Sequence, residues 1–453
     1  MRAYMPLRGV RILSFETAVS LPAGTRIFAD LGADVVRVGR PAAGGGRLIA
    51  QFDAGGVNKC ALVINLQQEE GRALARRLAA VADIVCNNFT PKVLKRFGLD
   101  YEALRAIRPD VIALQLSGYG TPGPWQDMPA LGHCVEAAGG MNALIGAADD
   151  PPLPSGSDVY TDQVSGRYAT LALVAALDHR RRTGEGQYID LSMYETVVHF
   201  LGDLVMQSAR EGRPPPRTGN RDAHFAPQGV YPCLSEDAWL ALSVTDDGEW
   251  RALRGLINDD RLNDPALDDV AERHRRHDAI DAVIAAWTHG YAKDEAATLL
   301  QAHGIPAGPV QQTSDVPYDA QVVARGIFQP LPHPVPVLGY GAHPHLSNAW
   351  AVGGRARPAL AEVRDDRRAS RLVLRRWLGL DVAEVRRLEA AGALQATSTA
   401  APGAGVDPGA EGGPADPDFA RRLGLREASA APLPEVRTVD GAGIAAAAGG
   451  GRR

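Results

Sequence analysis

The chain has 453 residues, 45% of them hydrophobic and 22% charged, and a formal net charge of −5. That is the profile of a globular protein long enough for two or three folding units. Its pI of about 6.1 excludes the strongly positive field that nucleic acid or an anionic membrane surface would select for. Cys60, Cys86, Cys134 and Cys233 are scattered with no C-x-x-C pair, which predicts reduced thiols rather than a disulfide framework or a zinc site. The N-terminal run MRAYMPLRGVRILSFE places arginines and a glutamate where a signal sequence would be apolar. The most apolar stretch, residues 171–177, is far short of the ~20 residues needed to span a bilayer. A cytoplasmic protein is the expectation.

The first third alternates short apolar runs with helical patterns. Residues 10–15 (VRILSF), 34–38 and 61–66 (ALVINL) read as buried strands, with an Ala-rich helix over 22–31 and a glycine-rich loop at 44–46. Residues 69–81 form an amphipathic helix, with Leu74, Leu78 and Val81 on one face. Further strands are predicted at 84–86 and 111–116, with helices at 91–97 and 101–107 between them. Such alternation predicts a Rossmann-like α/β domain with a mostly parallel sheet and helices on both faces. The clearest helix runs over 162–180, followed by a strand at 187–191 and a helix over 193–209.

Residues 211–220 (EGRPPPRTGN) have the composition of a linker. Beyond it, short strands at 229–233 and 239–244 precede helices at 249–257, 278–287 and 294–302, the pattern of a smaller α+β domain. The predicted organisation is therefore a large domain over 1–212, a small domain over 221–329, and a return to the large domain over 330–394. The return starts with a Pro/His-rich stretch at 330–344 and ends in helices at 367–378 and 382–391. Of the 59 residues from 395 to 453, 32 are Ala, Gly or Pro, which predicts a disordered tail with too little apolar surface to offset its ordering entropy.

One G-x-G-x-x-G occurs, at Gly118, Gly120 and Gly123, but Pro122 and Pro124 interrupt it and no helical pattern opens on it. A dinucleotide site needs that helix, so a glycine-rich loop is predicted. No phosphate-binding G-x-x-x-x-G-K-[ST] and no G-x-S-x-G elbow is found. His333, His343 and His345 lack acidic or cysteine partners at ligand spacing, so no metal site is predicted. Asp162, at the start of the strongest helix, reads as an N-cap residue on position alone. The same geometry also suits a nucleophile, since a helix N-terminus keeps a carboxylate ionised. Gly166, four residues on, would open that face to a ligand.

Several blocks, taken together, resemble family III CoA-transferases, the group that includes formyl-CoA:oxalate and carnitine or bile-acid CoA-transferases. They are residues 7–41 (LRGVRILSFETAVSLPAGTRIFADLGADVVRVGRP), 58–66 (NKCALVINL), 87–98 (NNFTPKVLKRFG), 157–180 with the following RRTGEGQYIDLSMYE, 229–233 (GVYPC) and 303–310 (HGIPAGPV). The resemblance covers roughly residues 7–394. It implies Asp162, in D-Q-V-S-G, as the covalent nucleophile, and CoA contacts at Arg40, Asn88, Phe89, Arg96 and His133. It also implies an interlocked homodimer, with acyl-CoA and a carboxylic acid as substrates and no cofactor beyond coenzyme A itself. Two positions depart from the family pattern: Gly39 stands where V-x-V-E-R-P has Glu, and Leu21-Pro22 where Gly-Pro is usual.

The implied reaction moves CoA from an acyl-CoA donor to an acid acceptor through an aspartyl-CoA thioester. Two other readings remain at this point. An α-methylacyl-CoA racemase of the same resemblance group would pair His133 with Asp162, but its G-H-D reads Gly132-His133-Cys134 here, and the glutamate supporting its histidine falls at Tyr231-Pro232-Cys233. A non-catalytic subunit of a heteromeric transferase is the third reading.

Overall fold

The computed structural model describes residues 4–41, 56–147, 149–156, 159–337, 340–353, 358–361 and 367–395. The predicted loop at 44–46 and nearly all of the predicted tail lie outside the described residues. Apart from Pro332–His343, the described residues belong to one compact unit.

Its main sheet has six parallel strands: β1 (Arg11–Phe15), β2 (Asp34–Gly39), β3 (Cys60–Ile64), β4 (Ile84–Asn87), β5 (Ile112–Ser117) and β6 (Gln187–Ser192). They lie in the order β3-β2-β1-β4-β5-β6, and Leu394–Gln395 adds a short antiparallel edge strand beside β3. This is the doubly wound order, whose strand sequence reverses between β1 and β4. Helices α1 (Ser20–Asp30), α2 (Glu69–Val81), α3 (Lys92–Arg96), α4 (Tyr101–Ile107), α5 (Gly132–Ala138), α6 (Tyr160–Thr183), α7 (Met193–Phe200) and α8 (Gly202–Glu211) are interspersed with these strands.

The strands are apolar almost throughout because both faces are covered. Leu13, Phe15, Val36, Val38, Leu62 and Val85 point to one core, which they share with Leu74 and Leu78 of α2 and with Leu374 and Trp377 of the later helix Arg367–Leu378. The alternate residues Ile12, Val35, Ile84, Ile112 and Leu114 point to the other, against Phe28 of α1, Leu173 of α6 and Val197 of α7. The two-residue period of a strand makes this division.

Strands β7 (Gln228–Pro232) and β8 (Trp239–Ser243) and helices α9 (Asp247–Ile257), α10 (Val270–Arg275), α11 (His277–Thr288) and α12 (Lys293–Ala302) precede β9 (Ala307–Val310). The three strands form an antiparallel sheet, β7-β8-β9. They enclose a separate core around Trp250, Leu240, Ile284 and Leu300. A short helix α13 (Ala320–Arg325), strands β10 (Phe328–Val337) and β11 (Tyr340–Leu346), and helices α14 (Arg367–Leu378) and α15 (Val382–Ala390) complete the described chain.

Three local expectations are corrected. The single helix expected over 193–209 is two helices, because Leu201 ends α7 and α8 starts at Gly202, a poor residue for a helix interior. The Pro/His-rich stretch at 330–344, for which no strand was expected, contributes to β10 and β11, which form a two-stranded sheet. Prolines at alternate positions fit such a strand, whose every second N–H needs no partner. The tail expected to begin at 395 starts with Gln395 paired to β3.

Candidate functional site

Because the strands are parallel, their C-terminal ends share one edge, and the crevice between β1 and β4 is where an open α/β sheet offers space to a ligand. Phe15 of β1 is in register with Asn87 of β4, so Glu16 and Asn88 leave the sheet side by side. Asn88 ties the two loops together, accepting from the Thr17 N–H at 2.9 Å and donating to the Thr17 carbonyl at 2.8 Å. Arg40 leaves the neighbouring end of β2 and is exposed. Phe89 is half-buried against the core, its N–H bonded to the Asn87 side chain at 3.2 Å. Arg96 ends α3, exposed, with its guanidinium 5.8 Å from the centre of the Phe97 ring. Three of the residues expected to contact CoA, Arg40, Asn88 and Phe89, thus leave the strands that flank β1, and Arg40 and Arg96 are exposed guanidinium groups of the kind that grip phosphate oxygens.

Beneath this edge lies a buried ion cluster that the sequence reading missed. The Glu16 carboxylate accepts from Lys59 Nζ at 2.6 Å, Thr25 Oγ1 at 2.6 Å and Ser14 Oγ at 2.7 Å. Arg37 Nε lies 3.7 Å away. Burial alone would raise the Glu16 pKa, but the charges of Lys59 and Arg37 and the hydrogen bonds outweigh it and hold the group below its ordinary value. The cluster links the ends of β1 and β2 to the start of β3.

Asp162 and His133 come from α6 and α5. Asp162 is not the N-cap: Val159 holds that position, and Asp162 is the third residue of α6, largely buried. Gly132, first residue of α5, faces it so closely that a β-carbon there would lie 2.7 Å from Asp162 Oδ2. Gly166 does not open the face to a ligand, contrary to expectation. A β-carbon on it would lie 2.5 Å from the Ser20 carbonyl oxygen, and one on Gly24 would lie 2.4 Å from the Gly166 oxygen. The two glycines let α1 and α6 cross in backbone contact, and Thr170 Oγ1 donates to the Gly24 carbonyl across the crossing at 3.2 Å. Ser20, which also receives a hydrogen bond from Asn88 at 3.4 Å, connects the β4 loop to the first turns of α6.

His133 is half-exposed, and its Nδ1 lies 3.6 Å from Oε2 of Glu136, which is wholly buried one turn further along α5. Glu136 Oε1 accepts from Ser155 Oγ at 2.8 Å and from the Thr161 N–H at 3.1 Å. Burial would raise the Glu136 pKa, yet these bonds hold it below the ordinary glutamate value. Glu136 was also missed. Its only sequence signal was an acidic residue three positions after His133 within an Ala/Gly-rich run, which does not distinguish a surface carboxylate from a buried one. No helix opens on the Gly118–Gly123 loop; the first helix after it is α5. Gly118 packs against Ala130, where a β-carbon would lie 2.3 Å from the Ala130 Cβ, which sets the loop beside the α5 N-terminus. Among the described residues, no group of three His, Cys, Asp or Glu side chains could hold a metal ion, and no helix is long and apolar enough to cross a membrane.

Comparison with known proteins returns one family. The model of CoA-transferase family III matches residues 7–363. The chain is 30% identical over 332 residues to the succinyl-CoA–D-citramalate CoA-transferase of Chloroflexus aurantiacus, covering 71% of this chain and 82% of that one. It is 31% identical over 339 residues to the succinate–glutarate CoA-transferase of Agrobacterium fabrum, covering 71% and 84%. A crystal structure of a CAIB/BAIF family protein from Brucella suis superposes with a TM-score of 0.71 at 27% identity, covering 82% of this chain and 99% of that one.

Proposed function

The chain belongs to CoA-transferase family III and is an enzyme that passes CoA from an acyl-CoA to a carboxylic acid; from that premise we propose that it works through an aspartyl-CoA thioester on Asp162. The observation that carries this reading is the setting of Asp162. It is a largely buried carboxylate in the first turn of a helix, pressed against Gly132, in a turn whose preceding N–H groups are met by Ser155 and Glu136. A helix N-terminus favours the ionised carboxylate even where water is scarce.

Each step balances. An Asp162 oxygen attacks the donor thioester carbon; the C–S bond breaks, leaving a mixed anhydride and CoA thiolate. The thiolate attacks the aspartyl carbon, forming the Asp162 thioester and releasing the donor acid as its carboxylate. The acceptor carboxylate then attacks that thioester, giving a second mixed anhydride and freeing the thiolate again. The thiolate finally attacks the acceptor carbon, leaving acyl-CoA and a regenerated Asp162 carboxylate. Covalent catalysis of this kind conserves the thioester's free energy, and each intermediate must be kept from water. Arg40, Asn88, Phe89 and Arg96 are proposed to hold the CoA moiety at the sheet edge, with His133 near the reacting end. The relatives named for citramalate and glutarate support a dicarboxylic acid as acceptor.

The test is to trap the intermediate. Hydroxylamine or borohydride added during turnover with succinyl-CoA should modify Asp162, read by peptide mass spectrometry. Modification of another carboxylate, with Asp162 untouched, would remove it from the role. The His133–Glu136 pair beside Asp162 favours one alternative, a racemase using His133 and Asp162 as opposed acid and base. Incorporation of deuterium at the α-carbon of a 2-methylacyl-CoA in D2O, without any CoA exchange, would select that alternative.

A further inference from the structure

Helix α6 starts without a side-chain cap of its own, since Val159 at the N-cap position offers no acceptor. Its first N–H groups are orphans that must be met from elsewhere. Tyr160 donates to Ser155 Oγ at 3.4 Å, and Thr161 donates to Glu136 Oε1 at 3.1 Å. The Ser155 hydroxyl in turn donates a hydrogen bond to the same Glu136 oxygen at 2.8 Å. The cap of α6 is therefore supplied by another helix, α5, through a glutamate with no exposed surface. A carboxylate is rarely placed so deep unless it is paired and hydrogen-bonded. The second oxygen, Oε2, faces His133 Nδ1 at 3.6 Å, an ion-pair distance, and accepts no hydrogen bond.

We propose that Glu136 is a positioning residue for CoA transfer, holding with one oxygen the helical turn that carries Asp162 and with the other the ring of His133. The proposal rests on reading Asp162 as the nucleophile. Three facts converge on it. The capped N–H belongs to Thr161, the residue bonded to Asp162 along the chain. Gly132, on the same short helix as Glu136 and His133, lies against the Asp162 carboxylate. Glu136 and Thr161 are both buried, so a shift at Glu136 has no slack to absorb it on the side of α6. Reactions that depend on close approach lose about 10²-fold when a group is misplaced by roughly 1 Å. Position, and not binding, is what Glu136 would control, so its loss should appear in kcat.

The experiment compares E136A, E136Q and S155A in the full chain, with succinyl-CoA as donor. Turnover, KM for the donor and the amount of trapped aspartyl-CoA thioester are measured for each. E136A should lose about 10²-fold in kcat with KM within threefold of the parent, and should form thioester slowly. E136Q keeps an oxygen for Thr161 and Ser155 and should recover most of that rate. S155A removes the bridging hydroxyl at a partly exposed position and should lower kcat about tenfold with KM unchanged. Should E136A fail to fold, E136Q and S155A decide the matter: parental kcat in S155A, or a raised KM with parental kcat in either, overturns the proposal. D162A separates the two readings. If D162A is inactive while E136A and S155A turn over normally, only the positioning role fails; if D162A still transfers CoA, the nucleophile reading fails first.

Discussion

A β-carbon placed on Gly132 would lie 2.7 Å from Oδ2 of Asp162 and 2.3 Å from Cγ1 of Val159. The first helical residue of α5 is thus the wall against which the candidate nucleophile rests. A methyl group there meets the side chains of Val159 and Asp162 before any backbone atom, so both side chains must shift while the backbone need not. G132A should therefore fold, lose less stability than a clash with backbone would cost, and lose about 10²-fold in kcat, measured as CoA exchange from succinyl-CoA. G166A makes the instructive contrast, because its methyl would meet the Ser20 carbonyl, part of the α1 backbone. It should cost about 1–3 kcal/mol of stability, seen as a lower denaturant midpoint. Parental activity in G132A would separate Asp162 from this wall.

Acid should loosen the core packed around the β7-β8-β9 sheet. His277 is buried, accepts a hydrogen bond at Nε2 from the Gln228 N–H at 3.2 Å, and lies 3.5 Å from Asp281 Oδ1. Burial lowers its pKa, with Arg221 and His274 adding to the effect and Asp281 and Asp278 opposing it. Tyr231 donates to the same Asp281 carboxylate. A base with a depressed folded pKa leaves stability intact above the unfolded value of about 6.5. Below that pH the unfolded chain takes up a proton that the folded one refuses, and stability falls toward the folded pKa. Urea midpoints between pH 7.5 and 5.5 should decline for the parent and decline less for H277Q. Equal slopes would place the acid sensitivity elsewhere.

Thiol labelling tests where CoA sits. Cys134, next to His133, is exposed, whereas Cys60, Cys86 and Cys233 are buried. Burial also pushes the Cys86 thiol up to about 12. A chromogenic disulfide should therefore titrate one fast thiol per folded chain, and C134S should abolish it. A saturating thiol-free analogue, desulfo-CoA, should slow that reaction if the reacting end of the ligand lies by His133. An unchanged labelling rate in the presence of desulfo-CoA would put the ligand elsewhere.

The protein is expected to be a homodimer, interlocked as the family resemblance implies. Leu171 and Val174 of α6, Phe200 of α7, and Val205 and Met206 of α8 are exposed, and a partner chain would cover apolar surface of this kind. Sedimentation at micromolar concentration should show twice the chain mass of 48.0 kDa. A species of single-chain mass excludes the dimer. Interlocked chains should not form mixed dimers with a tagged copy until both are unfolded; rapid mixing under native conditions would leave a dimer without the interlock.

Much of the fold was legible in the sequence because its signals are local. The helix α2 was read with its bounds as they stand, and β1, β2, β4 and β5 within one or two residues, since short apolar runs between helical periods have few other interpretations. α5 was missed because Gly132–Ala138 is short and starts with glycine, leaving too little periodicity to register. The six candidate site residues came from motifs whose order along the chain carries information even when no single one does.

What the sequence by itself determined was therefore the class of the chain, the run of its strands and helices, and the aspartate at the head of α6. Tertiary structure decided the rest. Only the doubly wound strand order sets Asn88 beside Thr17, and only the α1–α6 crossing explains Gly166. Glu16 and Glu136 turned from ordinary acidic residues into buried anchors because Lys59, forty-three positions from Glu16, and Thr161, twenty-five from Glu136, are folded against them. The physical reason is that burial and partnership are properties of long-range packing, and a side chain's charge acquires its role only from what the fold places within a few ångströms of it.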